Sequence, residues 1–256
     1  MTARKKSRSK TGSSRPDFTA PGGLLGLPAL LVLGSSLTIA HLYVHIQGPS
    51  YVGPLLVLDR AFDLALVFAL FATFASVGSF VMARCGYVLS QPLEGLLFST
   101  AIGGGLISTS ILICGLLSGL QAPILGLLLF LYALLARRQL RALPAVVTQS
   151  FFSLKANGGV LSIAILGTAA QFMISQAMAP PLDWDSLMYH LRVPAQFLQK
   201  GRIYLPEDNL HTAFVQLVHM LYIPLLAFGS PAGAALVSTF FALGLGLAVF
   251  AFCLRF

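Results

Sequence analysis

Apolar residues in this chain gather into long unbroken runs rather than at helical or strand spacing. Seven runs stand out: Leu24–Ile46, Leu64–Met82, Leu96–Leu117, Leu120–Ala136, Val160–Met178, Leu210–Phe228 and Ala232–Leu254. A helix crosses the hydrocarbon core with roughly 20 mostly apolar residues. The pattern therefore predicts an all-α, polytopic transmembrane bundle of about seven spans. The short alternating segments of a membrane β-barrel are absent from the pattern. Only Ser118 and Gly119 separate the third run from the fourth. That junction fits a tight helical hairpin and a re-entrant break near Pro123 equally well. The organisation expected is a disordered basic tail over 1–23, five spans over 24–178, an outer loop over 179–209 and two spans over 210–256.

Composition narrows the class further. Of 256 residues, 57% are hydrophobic and 9% charged. A soluble domain carries nearer ~25% charge, and a disordered chain is poor in apolar residues. All 16 basic and 8 acidic residues fall outside the seven runs. Basic residues favour the cytoplasmic side. Alternating seven spans from a cytoplasmic N-terminus gathers the tail's Arg4, Lys5, Lys6, Arg8, Lys10 and Arg15 with Arg84, Arg137, Arg138, Arg141 and Lys155. It leaves Arg60, Arg192, Lys200, Arg202 and Arg255 outside. The expected location is the inner (plasma) membrane, with the tail against anionic lipid. Nothing aromatic is interleaved with the tail, so no nucleic-acid partner is expected.

Cys85, Cys114 and Cys253 are isolated and suggest neither disulfides nor a metal site. Small residues from Ala101 through Gly103, Gly104, Gly105 and Ser108 to Gly115 and Gly119 suit close helix packing in lipid. They lack the Lys and Ser/Thr of a phosphate-binding loop. His41, His45 and His219 lie in or near spans and read as packed, hydrogen-bonded side chains.

The outer loop holds four of the eight acidic residues, Asp183, Asp185, Glu207 and Asp208, and the single Trp, Trp184. From Asp185 to Gln199 the spacing predicts a helix lying along the interface. Leu187, Leu191, Pro194 and Leu198 form its apolar stripe, and Asp185, Tyr189, Arg192 and Gln196 share another face. Asp183 or Asp185 is expected to cap its start, and Gly201 to follow its end. Trp184, Tyr189 and Tyr204 suit the headgroup region. One reading is purely structural, with capping acids and with Arg192, Lys200 and Arg202 snorkelling to headgroups. The other is chemical: a carboxylate taking a proton from an attacking hydroxyl, with cations stabilising a departing phosphate.

The run Trp184-Asp185-Ser186-Leu187-Met188-Tyr189-His190-Leu191, followed by Gly201-Arg202-Ile203 and Leu205-Pro206, resembles bacterial membrane glycosyltransferases of the GT-C superfamily, relatives of the protein O-mannosyltransferases of family 39. The likeness runs from Asp183 to about Pro231. It implies an outer loop with an acidic motif, an amphipathic juxtamembrane helix, a Gly-containing turn and a return into the membrane. It also implies sugar transfer from a polyprenyl-phosphate carrier to an acceptor on the outer face. Under it Asp185 is the base, with Asp183 second. Tyr189 and His190 orient substrate, and Arg192, Lys200 or Arg202 hold phosphate. No cofactor is required, although carboxylates and phosphate together would suit a divalent metal. Family members continue through further membrane helices, so an N-terminal portion, a truncated frame and a divergent short relative all stay open. Asp59 and Asp63, with Arg60 between them, are rival acids read as structural. The alternative functions are a non-enzymatic membrane scaffold or subunit, whose partners are lipids or a docked protein, and then a transporter.

Overall fold

The computed structural model describes residues 54–87, 89–179, 184–205 and 217–255. Among them every regular element is helical. The expected first span Leu24–Ile46, the basic tail, His41, His45, Asp183, Glu207 and Asp208 lie outside the described residues. The elements are α1 (Pro54–Arg84), α2 (Pro92–Leu116), α3 (Ala122–Leu135), α4 (Arg137–Ala177), a π-helical turn (Ser186–His190), α5 (Arg192–Lys200), α6 (Leu217–Met220), α7 (Tyr222–Ala227) and α8 (Pro231–Arg255).

Three helices are long and apolar enough to cross a membrane: Leu58–Arg84, Pro92–Leu116 and Pro231–Arg255. A fourth crossing arises only if α3 and the first part of α4 count as one span broken by a 74° bend. The seven crossings expected from the apolar runs are therefore not found among the described residues. Of the four runs not counted, Leu24–Ile46 lies outside the described residues and Val160–Met178 supplies only the shorter apolar stretch Ser162–Ala177 of α4. The Leu120–Ala136 run becomes the 14-residue α3, about 21 Å at 1.5 Å per residue, shorter than a ~30 Å hydrocarbon core. The described part of the Leu210–Phe228 run is a broken helical segment, Leu217–Ala227.

α1 and α2 form an antiparallel pair at the centre. Glycines set their approach: a Cβ on Gly103 would collide with the Phe74 carbonyl, and one on Gly78 with that of Ser99. Close backbone approach of this kind is the packing role expected of small residues in lipid. The core between these helices includes Val67, Phe74, Val77, Ile107 and Ile111, all 2% exposed or less. Outward-facing positions stay apolar, as with Phe68, Phe98, Phe130, Leu245 and Phe252. Contiguous exposed apolar surface marks a lipid-facing wall. Between α2 and α3 the chain makes a tight hairpin, with Ser118 at φ 63° and Pro123 in the first turn of α3. The 74° bend between α3 and α4 fits a broken span and a re-entrant loop alike, and Pro123 is tolerated in the first turn because the helix amide there has no partner to lose.

The two ends of the bundle differ in charge. Arg84, Arg137, Arg138 and Arg141 mark a basic end, and the outer loop marks the other, the loop end. Ser108 on α2 donates through Oγ to the Leu217 carbonyl, and Ser230 donates to Asp63 near the start of α1. Residues 217–230 thus begin part-way along α2 and rise to the loop end without crossing. α8 then runs parallel to α1. Phe240 packs on Phe68 and Phe71 at 5.3 and 5.2 Å, and Phe241 on Phe74 at 6.3 Å. At its far end Arg255 meets Glu94 at 3.0 Å. Arg255 therefore belongs to the basic end, and grouping it with Arg60, Arg192, Lys200 and Arg202 is corrected. The alternation rule fails here because it counts an apolar run as a crossing even when the run doubles back. A topology reporter fused behind α8 is expected on the same side as one inserted between Gly86 and Ser90. Opposite sides would refute this path for residues 217–255.

Candidate functional site

Residues 184–205 are folded down onto the loop end of the bundle. α5 is amphipathic: Val193, Pro194 and Phe197 are buried, while Arg192, Gln199 and Lys200 are exposed. It ends in a left-handed glycine, Gly201 at φ 68°. The Gly201 amide donates to Leu198 O and the Arg202 amide to Phe197 O, both at 3.1 Å. This pair of bonds is the Schellman termination that glycine favours, as the sequence leads one to expect. The chain then pairs with the α2–α3 hairpin, Leu120 N–H to Gly201 O and Ile203 N–H to Gly115 O, each 3.0 Å.

Gly115 has a specific reason to be glycine, since a Cβ there would lie 2.6 Å from Ile203 Cδ1. Gly115→Val is expected to unseat Ile203 and speed tryptic cleavage after Lys200 and Arg202 in the detergent-solubilised protein. Gly105→Val should leave that rate unchanged, because a Cβ there meets nothing within 4 Å. Equal cleavage rates in the two variants would remove Gly115 from this role.

Before α5 the chain makes a π-helical turn, closed by Leu191 N–H to Ser186 O at 3.0 Å. One extra residue in a turn rotates everything after it by about 100° relative to an α-helical reading. The expected stripe is corrected accordingly. Leu187 is 53% exposed, and the buried face of α5 is Val193, Pro194 and Phe197, with the expected Leu191 and Leu198 half-buried and packed on the core beside it. Periodicity read straight through Asp185–Gln199 has no way to register this slip.

Asp185 is exposed, its backbone is helical at φ −63° and ψ −43°, and its side chain makes no capping hydrogen bond. Its expected capping role is therefore not observed. Arg192 lies two turns further on, while Lys200 and Arg202 flank Gly201 at the other end of α5, and all three are exposed. Proximity along the chain links Arg192, and not the other two cations, to Asp185.

His190 and Tyr189 turn inward instead. His190 Nδ1 and His219 Nε2 are 2.7 Å apart, and the Tyr189 and His190 rings lie 4.1 Å apart, tilted by 46°. One imidazole must donate and the other accept, so at least one of them is neutral. His219 is buried and is followed by Tyr222, whose hydroxyl bonds Ser238 on α8. The packed, hydrogen-bonded reading of His219 is what the fold contains. Its pairing with His190 is a link the sequence did not reveal, because 29 residues separate the partners. Among the described residues no three His, Cys, Asp or Glu side chains gather as metal ligands. Two imidazoles alone fall short of the three protein ligands of a catalytic zinc.

The rival acids have partners of their own. Asp63 is 2% exposed and accepts from Arg60 Nη1 at 2.7 Å and from the Ser230 hydroxyl. Ser230 in turn accepts from the Gly233 amide at 3.2 Å, capping α8 ahead of Pro231. Arg60 also lies 3.7 Å from the more exposed Asp59. This cluster pins the start of α1 to the start of α8. No family model, curated protein or solved structure matches this chain.

Proposed function

We propose that the chain is a membrane-embedded glycosyltransferase of the GT-C kind, or part of one, acting at the loop end of the bundle. The observation that carries this reading is Asp185, an exposed carboxylate without a capping bond, on a helical turn continuous with the anchored α5. The loop's sequence also resembles that superfamily, whose acidic motif, amphipathic helix and glycine turn come in the same order. In the reaction the acceptor hydroxyl attacks the anomeric carbon of a polyprenyl-phosphate-linked sugar and passes its proton to Asp185. The bond from the anomeric carbon to the phosphate oxygen breaks, and Arg192 balances the charge on the departing phosphate. The His190–His219 pair holds Tyr189 and His190 in fixed orientation beside it. With the basic residues at the opposite end, the loop end faces outward and the N-terminal tail stays in the cytoplasm. Asp185→Asn tests the reading: transfer is lost while membrane insertion persists.

The second reading, a polytopic scaffold or subunit, has its own support. Asp185 stands exposed, and the two cavities described, around Glu94–Arg255 and around Gln139, lie at the basic end. Under this reading the wild-type chain transfers no sugar, and Asp185→Asn changes nothing.

A further inference from the structure

A cavity of about 420 Å³ opens at the basic end, among α1, α2 and α4 and far from Asp185. Its polar lining is uncharged throughout: Ser76, Ser79, Tyr87, Gln91, Gln139 and Gln149. Leu96, Leu143 and Val146 supply an apolar flank. Gln139 Oε1 is shielded from solvent and has no hydrogen-bond partner. The last torsion of a glutamine is soft, so a small turn presents this acceptor to a guest in the cavity. Ser76 already donates to the Ala72 carbonyl, which leaves its oxygen as a further acceptor.

These groups call for a guest that donates hydrogen bonds as well as accepting them. A phosphodiester or a carboxylate brings no proton for Gln139, whereas a free hydroxyl does. Arginines stand next to the lining in the chain: Arg84 beside Ala83, Arg138 beside Gln139 and Arg141 beside Ala142, all three exposed. They suit an anionic phosphate at the rim.

We propose that this cavity binds the head of an anionic phospholipid carrying free hydroxyls, of the phosphatidylglycerol type. The hydroxyls meet Gln139 and Gln149, the phosphate meets the arginine rim, and the acyl chains follow the apolar flank. The proposal is independent of the role given to Asp185.

The test is native mass spectrometry of the full chain in a detergent without hydroxyls, titrated with phosphatidylglycerol or phosphatidylethanol. These lipids share the singly charged phosphodiester and differ in the free hydroxyls of the head. Wild type is expected to retain phosphatidylglycerol about fivefold better or more, the worth of one net hydrogen bond. Gln139→Leu, which removes the unpartnered amide oxygen and leaves an apolar group of similar size, should bring the two lipids to parity without weakening phosphatidylethanol. Gln149→Leu should narrow the preference too. Arg138→Gln with Arg141→Gln should weaken both lipids together. Equal retention by wild type, or a preference that survives Gln139→Leu, overturns the proposal. Displacement of the lipid by soluble glycerophosphoglycerol at the same concentration would assign the site to a free phosphodiester and overturn the membrane source.

Discussion

Asp185→Asn is expected to lower sugar transfer by about 10²–10⁴-fold, the usual contribution of a positioned general base. Asparagine keeps the volume of aspartate and removes its capacity to hold a proton. The fold should not notice the change. Asp185 is exposed and makes no capping bond, and substitutions at such surface positions stay within about 0.5 kcal/mol. A drop in activity at unchanged melting temperature and unchanged insertion is therefore a chemical loss. The measurement is transfer from a lipid-linked sugar donor in membranes carrying equal amounts of each variant. Undiminished transfer by Asp185→Asn removes this residue from the reaction. If Asp183→Asn then abolishes transfer, the base sits two residues earlier. Arg192→Gln should also slow transfer, whereas Lys200→Gln, at the far end of α5, should do so far less.

Asp63→Ala should produce the largest loss of stability, about 3–5 kcal/mol, the range for removing one partner of a buried ion pair. The carboxylate is buried, and its removal takes the acceptor from the Ser230 hydroxyl and leaves Arg60 only the more distant Asp59. Ser230→Ala removes the α8 cap and one bond to Asp63, for which about 1–2 kcal/mol is expected. The two losses should not add, since both residues belong to one network. The paired replacement Asp63→Leu with Arg60→Met should recover most of the stability, because an apolar pair of similar size replaces a buried ion pair at little net cost. Thermal unfolding in detergent measures each step. The same variants weigh Asp63 against Asp185 as the base. If Asp63 is structural, folded Asp63→Leu/Arg60→Met protein keeps its specific activity. If it is catalytic, stability returns and activity does not.

The Gly201 termination depends on residues within one turn, so a glycine after Lys200 is a sufficient signal, whereas the cap expected of Asp185 was equally local and is not formed. Ser118, Gly119 and Pro123 mark the break between α2 and α3 without fixing its form. The small residues of α2 foretold close packing, and Gly103 and Gly115 show against what. The site was legible only in part. Asp185, Arg192, Lys200 and Arg202 are all exposed. Val193 and Phe197 were missed on the buried face of α5 and Leu187 was misplaced, because one π-turn shifts the helical phase and no residue type marks it.

The amino-acid sequence by itself determined that this chain is helical with apolar stretches of membrane-spanning type, and that half of its acidic residues fall between 179 and 209. Hydrophobic transfer is a sum over residues, so it survives without knowledge of any contact. Only the tertiary structure decided that residues 217–230 turn back, that Arg255 joins Glu94, that Asp63 is held by Ser230, and that His190 meets His219. Each of these depends on which surfaces pack together at long range. Two sequences of equal hydropathy can differ in every one of them.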